Sequence, residues 1–171
     1  MQFGFKAEQL IADGTADAIA IGTIKDWLNG TKIPHLSDEQ IVLFLASCEE
    51  DIEFTQRTIK MFYHIRSSSP QLFSNRSLGA DDIQSALQSV NICEWRDEDG
   101  HVFIFYSFKS DSPNWNLRTT IKLILMVTEA VIYDGPPKGL DLIIDANEVG
   151  SLVPPRKNLI VLLSVKFGRC S

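Results

Sequence analysis

Three histidines, three cysteines and an apolar segment ending in aspartate are the parts of this chain with types suited to chemistry. Their spacing speaks against each reaction such residues serve. His35, His64 and His101 stand singly, without the paired carboxylate or thiol that general-base or nucleophilic catalysis requires, so structural or exposed roles are expected. Asp145 closes LIIDANE, which looks like the acidic strand end of a nucleotide-hydrolysing protein, but no GxxxxGK[ST] loop exists to hold phosphate and Asp145 reads as a strand-end cap. GxGxxG, GxSxG and HExxH are likewise absent. Cys48, Cys93 and Cys170 are odd in number and form no CxxC, which indicates neither a disulfide framework nor a zinc site. Cys93, after an apolar helical stripe, reads as a small buried hydrophobe. Asp97-Glu98-Asp99 lacks the further oxygen ligands that calcium needs and reads as a solvated turn. These residues predict no enzyme, no metal and no cofactor.

The elements that must position these residues are helical in the first half. Between Asp13 and Leu28, apolar Ala16, Ile19, Ala20, Ile24, Trp27 and Leu28 recur at three- and four-residue steps, with Thr15 or Asp13 as the cap. Asn29-Gly30 then ends the helix with a pair that tolerates positive φ. Ser37 and Gln40 form a capping box ahead of Ile41–Leu45, a short buried helix. Asp51 caps the next, whose inner face carries Thr55, Ile59, Phe62 and Ile65 or Arg66 up to Ser67-Ser68-Ser69-Pro70. Asp81-Asp82 begins one more, with Ile83, Ala86, Leu87 and Val90 as its stripe.

The period changes at Gly100. His101 to Phe108 is rich in β-branched and aromatic residues and apolar on both faces, which predicts a central strand. A helix follows from about Trp115 to Tyr133, apolar on more than one face and therefore sandwiched, and Asp134-Gly135-Pro136-Pro137 breaks it. Gly139 to Asp145 is a second strand, and the order strand, helix, strand predicts a parallel pair with a right-handed crossover. Leu159 to Val165 has the composition of a buried strand and either covers an open sheet edge or stands as an exposed aggregation-prone segment.

Composition limits the function. With 171 residues, 44% apolar and 22% charged, the chain predicts an ordinary soluble globular protein. A net charge of −6 without a basic stripe weighs against nucleic acid. No signal peptide and no apolar run long enough for a membrane span is present, so a cytoplasmic, reduced setting is expected.

Two stretches, SDEQIVLFLASCEEDIEFTQRTIKMFYHIRSSSPQLF and DEDGHVFIFYSF with the following helix and GLDLIIDANEVG, together resemble the CRAL-TRIO family, its tocopherol-carrier branch above all. The resemblance spans roughly residues 15 to 150. It implies an α/β fold: an N-terminal helical segment at 1–78, an incomplete CRAL-TRIO βαβ sheet domain at 79–150 and a tail at 151–171 outside the family. It further implies non-catalytic binding and transfer of a tocopherol-, retinoid- or phosphoinositide-type lipid, with transient membrane-surface contact. Ile121, Ile124, Leu125 and Thr128 on the helix, with Phe103 and Phe105 on the adjoining strand, are the residues it assigns to the ligand cavity. Where tocopherol carriers place arginines this chain has Leu43, Ala46 and Glu49-Glu50-Asp51, so no basic phosphoinositide contact carries over there. The family continues past its second strand and this chain does not follow it beyond Gly150, which predicts a C-terminally truncated product. The alternative reading is a product without a lipid pocket, acting as a helical interaction module through residues 15 to 73 or without function.

Overall fold

A computed structural model describes residues 2–109, 116–145 and 160–166. In chain order the elements are α1 (Ala7–Ala12), α2 (Ala18–Asn29), α3 (Asp38–Ser47), α4 (Ile52–Ser68), α5 (Pro70–Phe73), α6 (Asp81–Ser89), β1 (Val90–Arg96), β2 (His101–Phe108), α7 (Leu117–Tyr133), β3 (Gly139–Asp145) and β4 (Ile160–Lys166). The architecture is mixed α/β, helices with a small four-stranded sheet. The chain divides into two compact units. One gathers residues up to Ser69 together with Ala130–Pro136, and the other holds Pro70–Glu129 with Pro137–Val165.

The first unit is a helical bundle. Asp17 caps α2 by accepting the Ile19 amide, a position two residues later than Thr15 and four later than Asp13, because Asp13 closes α1 and accepts the Thr15 amide instead. The Ser37–Gln40 capping box forms in full at α3, and Asp51 caps α4. Gly30 ends α2 at φ −90°, so this stop uses no left-handed residue. Ile24, Leu28, Ile41, Val42, Leu45 and Ile59 meet in one buried cluster. Each of these side chains stabilises the fold by about 1.5–3 kcal/mol through its removal from water. At the edge of the unit the Gly4 amide donates to the Tyr133 carbonyl at 2.9 Å, and Phe3 packs on the Tyr133 ring at 4.7 Å between centroids.

In the second unit the sheet runs in the order β1-β2-β3-β4. β1 pairs antiparallel with β2 across the Asp97–Gly100 turn, where Gly100 takes φ +86°, and β2 pairs parallel with β3 from His101↔Gly139 to Ser107↔Asp145. β2 is therefore internal. The segment near Leu159–Val165 does enter the sheet as β4, yet Leu162 and Leu163 remain exposed. One sheet face, with Val90, Val102, Ile104, Tyr106, Leu140 and Leu142, is buried. On that side Ile83 and Ala86 of α6 and Leu123, Met126 and Val127 of α7 pack against Val90, Ile92 and Phe108. Lys122 of α7 is buried as well and its Nζ reaches Asp82 Oδ2 at 3.1 Å. No helix among the described residues is long and apolar enough to cross a membrane.

Candidate functional site

Helix α4 has two faces set by its sequence. Thr55 and Ile59 point inward and are fully buried, with Phe62 half-buried against Phe44 in an edge-to-face contact at 5.3 Å. Phe54, Met61 and Ile65 stand at steps of seven and four residues, so they align along a second stripe. That stripe faces water: Phe54 is 55% exposed, Met61 58% and Ile65 44%. Of the two inward candidates at the end of the helix, Arg66 is the less exposed, its guanidinium lying 5.1 Å from the Phe62 ring centre.

The start of the stripe is held by the turn from α3. The Glu50 amide bonds to the Leu45 carbonyl at 3.0 Å, six residues closing on one as in a Schellman cap, and Glu49 and Glu50 take φ +54° and +60°. Asp51 Oδ1 accepts the Phe54 amide at 2.8 Å. The Cys48 thiol donates to Thr58 Oγ1 at 3.4 Å and so ties the end of α3 to the middle of α4. Ser47, Cys48, Glu49, Glu50, Asp51 and Phe54 line a shallow cavity of about 530 Å³ beside this turn. Carboxylates thus border the Phe54 end of the stripe. Glu53 pairs with Arg57 one turn on, and Lys60 Nζ lies over the Trp27 ring at 5.3 Å from its centre. An arrangement of exposed apolar groups on a firmly capped helix suits non-covalent docking.

The expected lipid-lining residues do not come together. Phe103 and Phe105 lie on the sheet face opposite to the one on which α7 packs, because odd and even positions of β2 point to opposite sides. Ile124, Leu125 and Thr128 are half-buried on α7, whereas Ile121 is exposed and borders an open cavity with Gln71, Leu72, Asn116, Leu117 and Arg118. Neither Phe103 nor Phe105 reaches that cavity. Cys93 is exposed rather than buried, since Val90 and the residues after it form a strand and not the end of the preceding helix. His35 and His64 are exposed and His101 half-buried.

A family model described as Pinta-like, UBA domain matches residues 16–83. No curated protein matches the chain. The match corrects the resemblance to the CRAL-TRIO family, because the family model that matches the helical segment is the UBA-type one. With it falls the partner that resemblance implied: the lipid or hydrophobic small molecule, its phosphoinositide variant included, is withdrawn. Sequence reasoning missed the exposed stripe. Its signal was present in the apolar residues at 54, 61 and 65, which are out of phase with the inner series 55, 59, 62 and 66.

Proposed function

We propose that the helices within residues 16–83 act in the cytoplasm as a non-catalytic interaction module that binds a protein partner, with ubiquitin as the partner suggested by the UBA-type match. The observation that carries this reading is the exposed stripe of Phe54, Met61 and Ile65 on a helix whose other face is locked into its own buried core. Such residues cost free energy in water unless something covers them, and a few large apolar side chains supply most of the energy of a protein interface. Glu49, Asp51 and Glu53 beside Phe54 favour a partner whose apolar patch carries a basic rim.

The test is a calorimetric titration of the whole chain with ubiquitin. Binding that weakens about tenfold in Met61→Asp, with thermal stability unchanged, supports the module. Equal affinity in the two proteins, or no heat in either, removes ubiquitin from this face.

A further inference from the structure

Within the second unit, α6 and the first turn of α7 border a small polar cavity of about 210 Å³. Its wall carries Asp82, Ser85 and Ser89 from α6, with Asn116, Thr119 and Thr120 at the start of α7. Thr120 is 2% exposed, yet its hydroxyl has no hydrogen-bond partner among the described residues and opens onto this space. A buried hydroxyl left unpaired costs free energy, so an occupant that brings a polar atom to it is favoured. The neighbouring groups are only partly used. Ser85 keeps its own hydroxyl free while its carbonyl accepts Ser89 Oγ at 3.0 Å, which leaves the Ser89 oxygen able to accept. Asn116 Oδ1 accepts the Thr119 amide at 3.2 Å, so its Nδ2 hydrogens remain to be donated. Free donors and free acceptors stand side by side in this wall, and a hydroxyl is the group that meets both.

From this cavity we propose a binding site for a small, neutral, polyhydroxylated molecule, a polyol or a monosaccharide. Charge argues against an ion. Asp82 is the one charged residue of the wall among those described, and both of its oxygens are engaged: Oδ2 takes Lys122 Nζ at 3.1 Å and Oδ1 accepts the Ile83 amide at 3.0 Å. An anion would meet the Asp82 carboxylate, and a bare cation the buried Lys122 ammonium. Asp81 and Arg118 adjoin wall residues along the chain, and the Lys109 amide bonds to the Ser89 carbonyl at 3.0 Å; all three residues are exposed, where water and salt screen their charge. Volume limits the occupant's size. The cavity has room for about seven waters and is smaller than the roughly 300 Å³ at which pockets for drug-sized ligands begin. This site is separate from the α4 stripe and stands or falls without it.

The experiment is a titration of the nitrogen-15-labelled full chain with glycerol, with D-glucose and with inorganic phosphate, read in the amide spectrum. One of the two neutral probes is expected to give saturable shifts at the Ser85, Ser89, Thr119 and Thr120 amides, and phosphate none. Thr120→Val keeps the shape of the side chain without its hydroxyl and should weaken binding about tenfold, the loss of one hydrogen bond. Thr120→Ser restores the hydroxyl and should restore most of the affinity, with urea midpoints of both variants as the check on folding. Shifts with phosphate alone, shifts that grow linearly without saturating, equal affinity in Thr120→Val, or no shifts with either neutral probe would each overturn the proposal.

Discussion

Asp51 and Phe54 are joined by a 2.8 Å hydrogen bond in which the carboxylate accepts the Phe54 amide, so the cap that starts α4 also fixes the first residue of its exposed stripe. Helix stability and the placement of the exposed stripe are coupled at that bond. Asp51→Ala should destabilise the protein by about 1 kcal/mol, lowering Tm by about 2–4 °C, whereas Asp51→Asn keeps an accepting oxygen and should stay near wild type. Urea unfolding of the three proteins checks this.

Glu49 occupies the left-handed position of the cap after α3, at φ +54°, where a Cβ is disfavoured. Replacing it with glycine removes that conflict. Glu49→Gly should raise stability by about 1 kcal/mol, read as a higher urea midpoint at unchanged slope. A lower midpoint would mean that the Glu49 side chain contributes more than its backbone conformation costs.

Lys122 is buried with its side chain 5% exposed, while its partner Asp82 is 43% exposed. Removing the carboxylate leaves a buried cation without its counter-charge, and water at Asp82 moderates the loss. Asp82→Asn is expected to cost about 1–2 kcal/mol, and adding Lys122→Met should recover most of it, as a double-mutant cycle would show.

Glu39 predicts a pH dependence. Its carboxyl is held below the usual value chiefly by its own backbone amide at the start of α3, helped by the Ser37 hydroxyl, the Ala7 amide and the charge of Lys6, against a smaller effect of burial. A folded-state value below the unfolded one gives stability that is fully present above the unfolded pKa and lost as pH falls through the folded one. Glu39→Gln should therefore lower stability at neutral and alkaline pH and leave it unchanged below the folded-state value, so that the decline in acid flattens, which urea midpoints across pH would reveal.

Where a local signal was complete, the sequence read correctly. Ser37 with Gln40 and Asp51 before an amphipathic run announced α3 and α4, and Asp97–Gly100 followed by aromatic and β-branched residues announced β2. Where no local signal exists, it did not. α1 starts after Lys6 with no side-chain cap, and β1 follows α6 directly at Ser89-Val90 with neither glycine nor proline between them, so Val90 counted toward a helix and Cys93 toward a buried position after it. The candidate site was half legible: the inner stripe of α4 showed in the spacing, but which second-stripe residues stay in water depends on packing that the spacing does not contain. Phe103 and Phe105 illustrate the same limit, for apolar residues on both faces of β2 do not say which face α7 covers.

The most direct measurement is a two-dimensional amide spectrum of the nitrogen-15-labelled chain titrated with ubiquitin. The account predicts that the largest shifts fall between Ser47 and Ser68, around Phe54, Met61 and Ile65, and that they vanish in Met61→Asp. Shifts confined to the sheet strands, or an unchanged spectrum with ubiquitin in large excess, would contradict it.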